Sequence, residues 1–238
     1  MPQTTIIGGG NLQPGSQAAV DPLYQAFRIS QRPLDYSNIG QLLGHYAVAQ
    51  SSGAMASIGA GGHVASIRWA DSTRFMVLMR IRAGWEVVSA ITAATPMDLQ
   101  AVVARGFSVD FTTASTAANL ASPSNTNKMR SSMGSSLMGA AGPRIGTTTV
   151  MSGQTLTADA NPFAMTNWVN QPSGNAIVTQ AVGVGGAMQT VYEVTAQGQH
   201  PIVLTTNEGV ILQPVTAGPV TGTMKYLVVW EWAEILVY

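Results

Sequence analysis

Cysteine is absent from the 238 residues, and lysine occurs only as Lys128 and Lys225. The first absence excludes disulfide staples and thiolate metal sites, and it fits synthesis in a reducing cytoplasm. Charge of both signs is scarce: 11 Lys+Arg face 11 Asp+Glu, which is 9% of the chain. An ordinary soluble domain carries roughly 25%. A protein that diffuses alone keeps a charged surface with net charge away from zero. Here the formal charge is zero, and the surface must be built largely from Ser, Thr, Ala, Gly, Gln and Asn. Such a surface suits a protein packed against neighbours. The balanced charge also argues against nucleic acid as a direct partner, because that role leaves a Lys/Arg-rich stripe.

Long hydrophobic runs are missing too. The longest charge-free stretches, between Asp35 and Arg68 and between Asp159 and Glu193, are interrupted by Pro, Asn, Gln, Ser and Gly. A spanning helix needs about 20 predominantly apolar residues, so no membrane role is expected. Met1–Gly8 has neither a basic nor an apolar region, and no secretory leader is expected. Low charge is not a sign of disorder here, since hydrophobic content is 46%. At this length the chain can bury a sizeable core.

What is present reads as strands. In Met224–Trp232, alternate residues Met224, Tyr226, Val228, Trp230 and Trp232 fall on one face, opposite Lys225 and Glu231. Ile202–Thr206 and Val210–Leu212 flank Asn207-Glu208-Gly209, which predicts a hairpin with a bulged turn. Phe75, Val77, Met79 and Ile81 alternate with Met76, Leu78, Arg80 and Arg82. Val64–Trp69 predicts a strand before this one and Trp85–Thr92 another after it. Asp98–Arg105 and Phe107–Phe111 form an extended run bent at Gly106, and Gln189–Val194 reads as a further strand. Short helices are expected around Pro22–Arg28 and where Ile39, Leu42, Leu43 and Tyr46 recur at helical spacing, although Gly40 and Gly44 weigh against the second.

Many short strands with Gly/Pro turns point to an all-β fold, an antiparallel β-sandwich or jelly roll. Residues 1–20, with Gly8-Gly9-Gly10 and Pro14-Gly15, read as an N-terminal arm. Residues 21–238 then form one domain carrying a loop-rich insertion around 112–175, with isolated strands near Thr147–Met151 and Ile177–Val182.

No motif carries enzymatic chemistry. Gly8-Gly9-Gly10, Gly59-Ala60-Gly61-Gly62 and Gly183-Val184-Gly185-Gly186 do not complete a nucleotide-binding fingerprint and read as turns. Glu231 and Glu234, three apart on a strand, point to opposite faces and cannot cooperate as acid and base. Asp98 and Asp110 offer no recognisable catalytic spacing. His45, His63 and His200 lie far apart with no carboxylate at a ligand-like offset, which favours structural roles over a metal site. Neither a metal nor any other cofactor is expected. Trp230 and Trp232 could stack on sugar rings, but inward packing is the better reading at strand spacing.

Two groups invite an interface reading. Arg28, Arg32, Arg80 and Arg82 can pair bidentately with carboxylates, either a partner's or this chain's own. Lys128, Met129, Arg130, Met133 and Met138 sit in a segment otherwise made of Ser, Gly and Asn. Methionine adapts to irregular contacts. Either these residues meet a partner, or the segment folds back and inserts its methionines into the sandwich.

Several segments together resemble a family of virion structural proteins of tailed bacteriophages and prophages. They are Phe27–Tyr36, Gly44-His45-Tyr46, Asn127–Met138, His200-Pro201 with Asn207-Glu208-Gly209, and Trp230-Glu231-Trp232. The resemblance implies no enzymatic residue. It implies a place on the capsid surface, as an auxiliary protein of the decoration or cement type, made in the host cytoplasm. The major capsid protein is then the expected partner, alongside other copies of this chain as a trimer or dimer. A tail, baseplate or receptor-binding role is the alternative, followed by a carbohydrate-binding β-sandwich. The expected contacts are the arm over Met1–Ala19, the loops of 112–150, and Arg28 and Arg32. Because contacts without charge are barely screened, association is expected to survive high ionic strength.

Overall fold

The computed structural model describes residues 42–91, 98–118, 120, 127–129, 133–139, 142–166, 168, 185–194, 200–218 and 221–236. Within these, twelve strands form two antiparallel sheets that pack face to face. The pairing is nested. The first strand, β1 (Leu42–Ser51), pairs with the last, β12 (Thr223–Ile235). Next inward, β2 (Ala65–Trp69) pairs with β11 (Glu208–Pro214).

The long strand β3 (Phe75–Ser89) pairs with β9 (Gly185–Glu193) and β10 (Ile202–Leu204), which follow one another along a single edge. In the same manner β4 (Leu99–Val109) receives β7 (Thr155–Ala158) and then β8 (Ala164–Met165). Counting each interrupted edge as one strand gives eight positions, four to a sheet, paired first to last. This is the jelly roll. The antiparallel pair β5 (Ser115–Ala117) and β6 (Arg144–Gly146) extends the second sheet beyond β2.

The interior lies between the sheets. From the first come Tyr46, Met76, Leu78, Ile81, Trp85, Tyr226, Val228, Trp230 and Trp232, and from the second Ile67, Trp69, Leu99, Val210 and Leu212. Trp69, Trp85, Trp230 and Trp232 are fully buried. At 150–250 Å² each and about 25 cal/mol/Å², each contributes about 5 kcal/mol gross, before conformational entropy is charged. A second, smaller core lies on the outer face of the second sheet, where Val102, Ala104, Phe107, Phe111, Met151 and Ile211 cluster. That is why Val210-Ile211-Leu212 is apolar without alternation: both faces of β11 are covered.

Four expectations need correction. The first concerns β3, where period two placed Phe75, Val77, Met79 and Ile81 on one face. Trp232 pairs with Leu78 but Glu231 with Arg80, so Met79 is an extra residue, a β-bulge. The bulge reverses the phase: Met76 and Leu78 face inward before it, Ile81, Ala83, Trp85 and Val87 after it. The strand then runs unbroken to Ser89, so no separate strand begins at Trp85.

Secondly, Ile202–Thr206 and Val210–Leu212 are not a hairpin, because β10 belongs to the first sheet and β11 to the second. The three intervening residues turn a corner of the sandwich. Asn207 takes the left-handed conformation at φ 60, and the Glu208 amide donates to the Thr205 carbonyl at 3.0 Å. Gly209 serves close approach instead, since a Cβ there would meet Ile67's carbonyl and the Phe107 ring.

Thirdly, the segment read as helical at Leu42–Tyr46 is strand β1, with Tyr46 and Val48 inward and His45, Ala47 and Ala49 outward. Lastly, the strand expected at Thr147–Met151 is replaced by Arg144–Gly146, with Met151 contributing only a bridge to His63. The bend at Gly106 is present: its φ is +55, and the β4–β7 register shifts beyond Arg105. The N-terminal arm, the Pro22–Arg28 helix and the Ile177–Val182 strand lie outside the described residues.

Candidate interaction surfaces

Strand β1 is the outer strand of its sheet, and an unpaired strand edge is a template for unwanted pairing. Residues of the long insertion between β4 and β7 cover it. The Ala47 amide donates to the Asn127 carbonyl and Asn127 Nδ2 returns to the Ala47 carbonyl, both at 3.0 Å. The Met129 amide donates to the His45 carbonyl at 2.8 Å, and the His45 amide to Met133 Sδ at 3.1 Å. Tyr46 Oη donates to the Gly134 carbonyl at 2.9 Å, its ring stacked on Trp232. Burial, with Glu234 close by, pushes the Tyr46 phenol well above its ordinary range.

The same strap is fastened from inside by Glu234, whose side chain is wholly removed from solvent. Its carboxylate accepts from Ser136 Oγ at 2.6 Å, the Leu137 amide at 3.0 Å and Trp232 Nε1 at 3.1 Å. Burial raises the Glu234 carboxyl above the ordinary range, and these three donors oppose the rise by favouring the ionised form. Met138, next along the strap, is buried in the main core.

The methionine segment is therefore divided. Met138 folds back into the sandwich, Met133 is half-buried against β1, Lys128 bridges to Tyr46, and Met129 is 55% exposed. Arg28, Arg32 and Arg130 lie outside the described residues. Glu234 was missed as a fastening, although a signal existed. It continues the inward phase of Met224, Tyr226, Val228, Trp230 and Trp232, and a carboxylate in that phase demands partners.

The outer face of the first sheet is ordered in cross-strand rows. One row is charged: Ala47, Glu231, Arg80 and Glu193 are successive partners. Arg80 donates to Glu231 Oε2 from Nε at 2.9 Å and Nη2 at 2.6 Å, while Nη1 lies 3.5 Å from Glu193. His45 Nε2 lies 3.1 Å from the other Glu231 oxygen. The next row runs Ala49, Val229, Arg82, Thr190, and beyond it Ser51 pairs with Leu227 and Leu227 with Gly84. Ala49, Gln50, Ser51, Met188, Leu227 and Val229 line a shallow groove of about 240 Å³.

Most of the other ionisable groups among the described residues are occupied structurally. On the outer side of the second sheet, Arg68 donates to the Phe107 carbonyl at 2.6 Å and to Asp110 at 2.8 Å, with Arg144 on the far side of the same carboxylate. Arg105 pairs with Asp159 and Glu208, and Asp98 accepts the Trp168 amide. His63 packs edge-on against Phe111 with Nδ1 3.1 Å from Gln154 Nε2, and burial holds it below its ordinary pKa. Asp98 and Asp110 are thus each committed to a different structural contact. Among the described residues no three His, Asp or Glu converge as metal ligands would. All five tryptophans are buried, so none offers a face to a sugar.

No family model matches the chain, and searches of curated proteins and of solved structures returned no match either.

Proposed function

We propose that this chain is a non-enzymatic structural protein of a tailed-phage virion, an auxiliary protein of the decoration or cement type. In this reading it binds the major capsid protein on the head surface, as a trimer or dimer, and stabilises the shell. The observation that carries the reading is the fate of its few charges. The described carboxylates are consumed by internal partners, and no cluster of them faces a cavity. What the described residues leave for contact is a surface poor in free charge, with isolated apolar side chains, including Met129, Leu137, Met165 and Met188.

A cement protein acts by mass action. It binds the assembled shell, not the free subunits, and so shifts the equilibrium toward the assembled state. A neutral interface suits that duty because salt screens it little. The test is co-sedimentation of purified protein with empty shells of the major capsid protein in 0.15 M and then about 1 M NaCl, a range over which the Debye length falls from ~8 to ~3 Å. Retention in both supports the reading. Release at the higher salt contradicts the neutral interface, and no binding at either salt contradicts the capsid partner.

A further inference from the structure

Arg82 stands apart from the other described arginines. Arg68, Arg74, Arg80, Arg105 and Arg144 each reach a carboxylate within 4 Å. The Arg82 side chain has no hydrogen bond or ion pair among the described residues, and its Nε, like those of Arg74 and Arg144, is buried without a partner. The obvious acceptor is already taken: Glu231, one row away, holds Arg80 on one oxygen and His45 on the other. An unpartnered buried donor is costly, and more so on a charged group.

Arg82 is also placed beside an apolar depression. Its lateral neighbours on the outer face are Val229 and Thr190, with Ala49 next to Val229. In the adjoining row Leu227 faces Gly84, which puts no side chain into the face, and Met188 stands 42% exposed at the rim. Arg82 does not itself line the groove, but its cross-strand partner Val229 does, and a guanidinium beside an apolar groove matches a carboxylate flanked by apolar side chains.

Among the described residues, a second copy of this chain is a poor source of that carboxylate; Asp21 and Asp35 lie outside them. Asp71, Asp110, Asp159, Glu86, Glu193, Glu208, Glu231 and Glu234 are each already bonded within the fold, and Asp98 holds the Trp168 amide. Docking through any of them breaks one pair to make another. We propose that Arg82 and the groove of Ala49, Leu227, Val229 and Met188 form a docking site for a different protein chain. Its occupant presents an Asp or Glu side chain next to aliphatic ones, the carboxylate closing on Arg82 and the neighbours filling the groove.

The test uses the full chain, fluorescently labelled, against an array of end-blocked octapeptides. Each peptide carries a central Asp, Glu, Asn or Gln between varied aliphatic, aromatic or polar residues. Binding is expected to be confined to peptides with a central acid and apolar neighbours. Arg82→Gln is expected to weaken it roughly tenfold or more, the scale of a lost charge-assisted pair. Arg82→Lys should recover part of the loss, Leu227→Ser should remove the preference for apolar neighbours, and Arg105→Gln on the other sheet should change nothing. Thermal melts of each variant check that it folds. Absence of binding at millimolar peptide overturns the proposal. So does binding indifferent to the central acid, or equal binding by a folded Arg82→Gln protein. Self-association in sedimentation equilibrium that disappears in Arg82→Gln overturns it too, because the occupant is then a second copy.

Discussion

Replacing Glu234 should reveal how the strap is held. Glu234→Ala removes a fully buried carboxylate and strands three donors, Ser136 Oγ, the Leu137 amide and Trp232 Nε1. Buried donors left unpaired cost about 1–3 kcal/mol each, and breaking a buried network costs about 3–5 kcal/mol in total. Glu234→Gln keeps the shape and one acceptor but sets an N–H against an N–H, a loss of about 1–3 kcal/mol. The pH dependence separates burial from hydrogen bonding. Burial raises the carboxyl, so its folded value lies above its unfolded value near 4.3. A group raised in this direction contributes stability that is fully present below the unfolded value and is lost as pH rises through the folded one. Gln cannot titrate. The deficit of Glu234→Gln relative to the parent should therefore be largest near pH 4 and shrink toward pH 7. Urea denaturation followed by tryptophan fluorescence, on both proteins across that range, measures the difference and cancels the other titrating groups. A deficit that grows with pH would refute the reasoning, because the three donors would then outweigh burial.

Three further outcomes follow from other places in the fold. Met138→Ala should cost about 2–5 kcal/mol, as core truncations do, and should speed amide exchange in 133–139 more than in β3, since Met138 seats the strap in the core. Gly106→Val forces a β-branched residue to φ +55. It should lower stability by about 1–2 kcal/mol, and an equal melting temperature would show that the bend relaxes. His63 is held below its ordinary pKa by burial and bonded to Gln154 as the neutral ring. Its contribution is present above about pH 6.5 and is lost as pH falls through the interval below. His63→Phe should flatten the pH 7-to-5 decline in urea stability, and an unchanged decline would place it elsewhere.

Much of the jelly roll was legible because its strands obey period two. Met224–Trp232 alternates without interruption, and its inward residues are buried as the pattern requires. Gly106 was legible as a bend because glycine inside an apolar run has few other reasons to be there. The errors lie where a local pattern meets non-local geometry. Met79 reverses the facing of β3 by a bulge that no spacing rule contains. The Asn207 turn resembles a hairpin locally, and only the partners of β10 and β11 reveal a sheet crossing. Leu42–Tyr46 has apolar residues at helical spacing, yet pairing with β12 overrides so weak a preference. The interaction surfaces were half legible. Arginines stood out by scarcity, but Arg80 and Arg82 are two residues apart, and only the position of Glu231 decides that one is paired and the other is not.

The proposed place of the protein is tested most directly by electron cryomicroscopy of complete particles, with this chain's density located by difference against particles lacking it. The account predicts ordered difference density on the outer surface of the head, where major capsid subunits meet. Density confined to the tail or baseplate, or none on any particle, would contradict it.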